Sequence, residues 1–273
     1  MNAITRVMLK RLGRAARPYL KSSGFLQVSG VYTRSALVWE PGGESVVVLA
    51  PHMDDETIGC GGTLALHAQR GARITVVFLT DGRHGSSKLA TLGGHERALR
   101  QQELIETRKR EAQRALGRLG IADMICLEVE DGTLQSCPDA AQKLAQILAE
   151  RRPQLVYLPF YLEEHADHRA ASRVLLEAAA GTRLDFHCVG YEVWTPLFPN
   201  CLVRIDATMA IKKEALAQYE SQLAEADYLH ACVGLNAHRS AGLLDARNGY
   251  AEAFHVASLA DYGEQYARYA GSR

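Results

Sequence analysis

The sequence predicts an α/β fold built on a doubly wound, mainly parallel sheet. Three observations predict it. Short uninterrupted apolar runs recur, the mark of strands buried on both faces. Segments of helical length alternate with them. Glycine or proline closes several of the helical segments. With right-handed crossovers and a strand order of 3-2-1-4-5, the first and fourth strands lie side by side. Ligands bind at such a switch point, outside the carboxyl ends of the strands.

The elements follow in order. Residues 1–44 end in the loop Pro41-Gly42-Gly43. Residues 45–50 (SVVVLA) form the first buried strand. Gly59 to Gln69 reads as a helix ended by Gly71, and 73–80 (RITVVFLT) as the second strand. A glycine-rich loop runs from Asp81 to about Gly94. The long helix 96–119 is closed by Gly120, and 124–127 is the third strand. Ala140 to Arg151 is a helix stopped by Pro153, 155–158 the fourth strand and 168–180 a further helix. Phe186 to Trp194, rich in aromatic and β-branched residues, is the fifth strand. Beyond 205 the pattern weakens to helices at about 208–224 and a late strand, Glu252 to Ala257.

A chain of 273 residues is long enough for one large domain or two small ones. The division expected is a basic N-terminal extension, 1–44, and a single domain, 45–273, whose residues from about 206 form a C-terminal cap. Apolar residues at 47% and charged residues at 23% exclude disordered, collagen-like and disulfide-scaffold classes. A formal net charge of zero argues against a generally basic nucleic-acid binder. No apolar run approaches the roughly 20 residues of a membrane span, and no signal-peptide core follows the basic N-terminus. Six scattered cysteines without a Cys-x-x-Cys read as reduced thiols in a cytoplasmic protein.

The zero net charge conceals a split. Residues 1–39 carry seven Lys or Arg and no Asp or Glu, and the rest of the chain carries the acidic excess. At 100° per residue, Ile4, Met8, Leu9, Leu12, Ala15 and Ala16 share one face of a helix over 4–17, while Arg6, Lys10, Arg14 and Arg17 share another. Two readings follow. One is peripheral contact with an anionic membrane, at the inner face in a cytoplasmic protein. The other is packing on the acidic body or on another subunit. A nucleic-acid arm is disfavoured, because no aromatic residues interleave the basic ones.

Unusual sequence stands after the first and fourth strands. Pro51-His52-Met53-Asp54-Asp55-Glu56 follows one and His165-Ala166-Asp167-His168 the other. Polar turn residues are common at strand ends, but two such clusters at adjacent ends suggest one metal centre. Imidazole and carboxylate without thiolate suit zinc held by two His and one carboxylate, with a position left for water. His52, Asp55 and His168 form that set. The metal lowers the pKa of its water to about 7. Asp54 is then the general base. His165 serves to stabilise an oxyanion or protonate a leaving group, and Asp167 to fix the tautomer of His165 or of a ligand.

His52-Met53-Asp54-Asp55-Glu56, Thr80-Asp81-Gly82 and His165-Ala166-Asp167-His168 resemble the signature of the PIG-L/LmbE-like N-deacetylases. The resemblance covers about residues 45–180. It implies a Rossmann-like fold, a zinc ion on His52, Asp55 and His168, Asp54 as base and His165 at the oxyanion. It further implies that Arg108, in an Arg-x-x-Glu with Glu111, contacts substrate and that Asp131 binds a sugar hydroxyl. Bland readings stand beside these two: Arg108 as one charge on a solvated helix face, Asp131-Gly132 as a turn. Met53 and Ala166 replace prolines common in the family, and Glu163 stands where some members have a tyrosine. Gly59-Cys60-Gly61-Gly62 suits an anion or close helix–strand packing, and Tyr250 to His255 is a segment that reaches toward the site. His67, His95, His187, His230, His238 and His255 lack partner spacing and read as surface or core histidines.

The expected function is zinc-dependent removal of acetyl from an N-acetylated amino sugar, an N-acetylglucosaminyl conjugate that a membrane-facing head would favour as lipid-linked. Two alternatives stay open: an amidase acting on a thiol conjugate or other small amide, and a non-catalytic metal- or glycan-binding subunit of an envelope-assembly complex.

Overall fold

Alternation along each central strand sends side chains to two cores. In β2, Ser45–Ala50, the residues Val46, Val48 and Ala50 enter one core, and Val47 and Leu49 the other. Every residue of this strand is buried, as a strand covered on both faces requires. The computed structural model describes residues 36–241, 243 and 249–271. The basic helix expected over 4–17 lies outside the described residues.

The strands are β1 Leu37–Val38, β2, β3 Arg73–Thr80, β4 Asp123–Val129, β5 Leu155–Pro159, β6 His187–Tyr191, β7 Cys201–Arg204 and β8 Ala251–Ser258. They form a mixed sheet in the order β1-β7-β8-β6-β5-β2-β3-β4. β2 through β6 pair in parallel, and β2 lies between β3 and β5. The helices are α1 Asp55–Gln69, α2 Gly94–Leu119, α3 Pro138–Arg151, α4 Ala166–Ala179, α5 Met209–Leu216, α6 Glu220–Leu223, α7 Tyr228–Ser240 and α8 Leu259–Ala270. α1, α2, α5 and α7 feed the core on one face of the sheet; α3, α4 and α8 feed the other.

The sheet departs from the five strands expected. β1 and β7 have two and four residues, too short for a periodic signal. The late strand is an interior member of the sheet, antiparallel to both β6 and β7. The C-terminal segment expected as a cap therefore builds part of the sheet as well as covering it.

α1 begins at Asp55, not Gly59, so the glycine run lies inside the helix. A Cβ on Gly59 would stand 2.2 Å from the Tyr191 ring. The glycine admits β6 against α1, which is the packing reading and not an anion site at a helix N-terminus.

Candidate active site

The segment after β2 turns sharply into α1. Asp55 closes the turn: its Oδ2 accepts from the backbone N–H of His52 at 2.8 Å. Asp54 is held at φ 138°, a region that non-glycine residues rarely occupy. Its N–H donates to Glu56 Oε2 at 3.2 Å, and the Glu56 carboxylate is anchored by the Tyr219 hydroxyl at 2.5 Å. Asp55 and Glu56 occupy the first turn of α1, where the helix dipole favours negative charge. From β5, His165 caps α4 and accepts the N–H of Asp167 on Nδ1 at 3.2 Å. His168 sits in the same first turn, fully buried.

Three ligand atoms converge. His52 Nδ1 is 3.4 Å from Asp55 Oδ2, His168 Nε2 is 3.2 Å from the same oxygen, and the two ring nitrogens are 3.3 Å apart. A tetrahedral ion with ligand bonds of about 2.0–2.1 Å has ligand–ligand edges of about 3.3–3.4 Å. The triangle fits one face of that tetrahedron. The other ring nitrogen of His52 is engaged by carboxylates, 3.1 Å from Asp131 and 3.5 Å from Asp167. This places the proton on Nε2 and frees Nδ1 as a donor of electrons to a cation. His165 lies in the same cluster, with a ring nitrogen within 4.8 Å of ligand atoms of His52 and His168.

The electrostatics agree with a site for positive charge. Burial opposes protonation of His52, but hydrogen bonds to Asp131, Asp167 and Asp55 override it and raise its pKa well above the ordinary value. His168 is pushed up to about 9, because the Asp55 carboxylate and Glu163 outweigh its burial. Burial would raise Asp55 too, yet His168 and His52 hold it far below the usual carboxylate range. A divalent cation satisfies the same field.

Asp54 behaves differently. Burial raises its carboxyl to about 7, against the pull of Arg108 and with the push of Asp55. A carboxylate tuned to that range suits a general base at neutral pH. His165 is held below its ordinary value by partial desolvation and by the neighbouring His52 and His168. It is therefore neutral, and since Nδ1 accepts an amide proton, Nε2 is the donor.

Arg108 does not lie on a solvated face. It is buried; its Nη2 donates to the Met53 carbonyl at 2.8 Å and lies 3.5 Å from Asp54 Oδ1. Nη1 donates to the Gly82 carbonyl at 3.1 Å. A Cβ on Gly82, which also has φ +65°, would stand 2.7 Å from that nitrogen, so the loop after β3 needs glycine to admit the guanidinium. Asp131 is more than a turn. Besides its contact with His52, it accepts the N–H of His84 on Oδ2 at 3.1 Å. Asp81 holds Asp131 in turn, accepting its N–H at 3.2 Å. Asp167 turns away from His165: it accepts the N–H groups of Gly132 and Leu134 at 2.7 and 3.2 Å and so ties this loop to His52.

These residues surround a cavity of 190 Å³ lined by His52, Asp54, Asp55, Arg108, Asp131 and His165. Ile58, His84, Gly85, Trp194, Gln222 and Tyr228 complete it, and the sequence carries no motif that marks the last three. Glu163, where some family members have a tyrosine, stands behind His168. Buried, it accepts the N–H groups of Val193 and Trp194 at 2.6 and 3.1 Å and backs His168 Nδ1 at 3.7 Å. The Tyr250–His255 segment does not line the cavity: Glu252 pairs with Lys212 and His255 with Gln265. A larger cleft of 460 Å³, lined by Ser45, Arg73 and Asp123 among others, lies at the opposite ends of the strands.

A family model described as GlcNAc-PI de-N-acetylase matches residues 47–179. Diacetylchitobiose deacetylase of Thermococcus kodakarensis is 30% identical over 198 residues, which cover 67% of this chain and 71% of that protein. A probable N-acetyl-alpha-D-glucosaminyl L-malate deacetylase 2 of Bacillus anthracis is 29% identical over 192 residues, 66% of this chain and 81% of that one. Among solved structures, N,N'-diacetylchitobiose deacetylase from Pyrococcus horikoshii superposes with a TM-score of 0.67 over 91% of this chain and 94% of that chain. At 21% identity, that last likeness is one of fold.

Proposed function

The chain belongs to the PIG-L family of de-N-acetylases, and from that premise we propose that it hydrolyses the acetamido group of an N-acetylglucosamine conjugate. The observation that carries the reading is the triangle of His52 Nδ1, Asp55 Oδ2 and His168 Nε2 beside the buried carboxyl of Asp54. Two of the relatives, on diacetylchitobiose and on an N-acetylglucosaminyl malate by their names, share the acetylated amino sugar and differ in what it is joined to.

His52, Asp55 and His168 hold the metal, zinc by the chemistry of an N,N,O donor set. When bound, the ion supplies Lewis acidity toward the acetamido oxygen and toward water. Asp54 takes a proton from the attacking water as its oxygen bonds to the amide carbon. His165 donates from Nε2 to the carbonyl oxygen as that oxygen gains charge. The proton on Asp54 then passes to the departing nitrogen as the C–N bond breaks, leaving acetate and the free amine. Arg108 keeps Asp54 oriented and opposes its permanent protonation, and Asp131 with Asp167 fixes the His52 ring.

The basic segment at 4–17 is proposed to hold the protein at an anionic membrane surface. Salt-sensitive sedimentation with anionic vesicles, lost when Arg6, Lys10, Arg14 and Arg17 become Gln, tests this; equal sedimentation rejects it. For the reaction, acetate release is measured from a panel of N-acetylglucosaminides with zinc-loaded protein. Stoichiometric zinc without acetate from any of them rejects the reading.

A further inference from the structure

Beside the catalytic cavity lies a second one of 260 Å³. Ile58, Trp194 and Tyr228 line both, so the two spaces share a wall. The Trp194 and Tyr228 rings meet edge to face, with centroids 5.4 Å apart. Val193, Pro196 and Leu235 line this second cavity and not the first, and add apolar surface.

Three polar side chains of this cavity, Glu192, Asn236 and Cys232, are engaged from within the protein. Glu192 receives Arg239 through Nε and Nη2 at 2.9 and 2.6 Å and also accepts the N–H of Leu197. Asn236 donates to the Ala251 carbonyl at 3.0 Å. The Cys232 thiol lies 3.6 Å from both the Ile58 carbonyl and Asn236 Oδ1. A polar ligand meeting Glu192, Asn236 or Cys232 here would exchange water for groups already satisfied. An apolar one would exchange water for apolar walls, the favourable direction.

We propose that this cavity is a subsite for an apolar group attached to the amino sugar, so that the preferred substrate class is an N-acetylglucosaminide with an aryl or short aliphatic aglycone. This deepens the deacetylase reading and rests on it. The acyl group removed is then acetyl, which is too small to need this second space, and the occupant belongs to the other side of the sugar. Size agrees, since a dry protein cavity of about 150 Å³ holds benzene.

The test compares phenyl and methyl N-acetyl-β-glucosaminide. Calorimetric titration in the Asp54→Asn background measures binding, and acetate release from otherwise wild-type protein measures turnover. The phenyl compound should bind about tenfold or more tightly than the methyl compound, the scale on which a hydrophobic pocket discriminates. Ala231 is exposed at the cavity rim on α7. Ala231→Trp fills the space, brings the phenyl affinity down to the methyl value and leaves methyl binding within about twofold. Trp194→Ala, at a position 51% exposed, removes the same preference by a different route. Equal affinities for the two glycosides overturn the proposal. So does a gain that follows an N-hexanoyl chain in place of the aglycone. A phenyl preference in binding without acetate release from either compound or from the wider panel rejects the deacetylase reading and leaves an apolar binding site with no substrate role.

Discussion

The guanidinium of Arg108 lies 3.5 Å from Asp54 Oδ1 while it donates to the Met53 carbonyl at 2.8 Å, so one buried cation fixes both the charge and the place of the proposed base. Arg108→Met removes the group that counters burial at Asp54. The carboxyl then rises further, and the acid limb of the kcat/KM profile moves to higher pH. Activity at pH 7 falls by about 10²-fold or more, the scale of general-base catalysis. Asp54→Asn should cost at least as much at every pH while zinc stays bound. Matched pH–rate profiles and metal analysis check both; an unmoved acid limb in Arg108→Met removes the electrostatic role.

Glu163 stands behind His168 and holds the backbone of Val193 and Trp194. Glu163→Gln keeps acceptors for those amides and removes the charge facing the ring. Partners in that position typically carry about 10–100-fold in metal affinity. Competition with a chromophoric chelator should show a loss in that range with little change in melting temperature. Unchanged affinity would assign Glu163 to the loop alone.

His67 gives stability a pH dependence. Its ring nitrogens lie 2.8 Å from the Gly42 carbonyl and 3.0 Å from the Tyr157 hydroxyl. Burial holds its pKa below the ordinary 6.5. The unfolded chain therefore binds more protons than the folded one in the window below pH 6.5. The contribution is present above that pH and is lost as pH falls through the folded value. His67→Gln should be less stable than wild type near pH 7.5, and the gap should narrow by pH 5.5, as read by urea denaturation at both.

Lys212 Nζ and Glu252 Oε1 are 2.6 Å apart and shut away from solvent. Lys212 also donates to the Ile58 carbonyl at 2.8 Å, and the Glu252 carboxylate accepts the N–H groups of Gly62 and Thr63 at 2.9 and 2.7 Å. The pair is thus stitched into the interior of α1. Removing one partner of a buried pair leaves an uncompensated charge, at a cost of about 3–5 kcal/mol. Lys212→Met should lose that much in chemical denaturation, and Lys212→Met/Glu252→Gln should recover part of it.

Much of the catalytic half could be read from sequence because its signals are local. The valine run of β2 announces a buried strand, and His52 to Asp55 and His165 to His168 are each confined to one turn. What could not be read depends on distant pairing. Gln222 reaches the cavity from a four-residue helix and Tyr228 from the first position of α7, and neither segment's own sequence marks it. The Arg-x-x-Glu resemblance singles out Arg108 against the bland reading of one charge among several on α2, but its burial against the glycine at 82 depends on a contact across the fold. Glu163 differs from its neighbour Glu164 in what it meets, not in any pattern along the chain.

The position of β8 has a consequence for synthesis. It is the last strand among the described residues, yet it stands inside the sheet between β6 and β7. As the chain leaves the ribosome, the parallel block from β2 to β6 can pair while β6 still presents an open edge. β7, paired in parallel with the two residues of β1, cannot join that block until residue 258 has emerged. An unpaired edge invites association with other chains. The half-made protein therefore carries its proposed metal-ligand residues complete and its sheet unsealed, and the interval between translating β6 and β8 is when that open edge is offered to other chains.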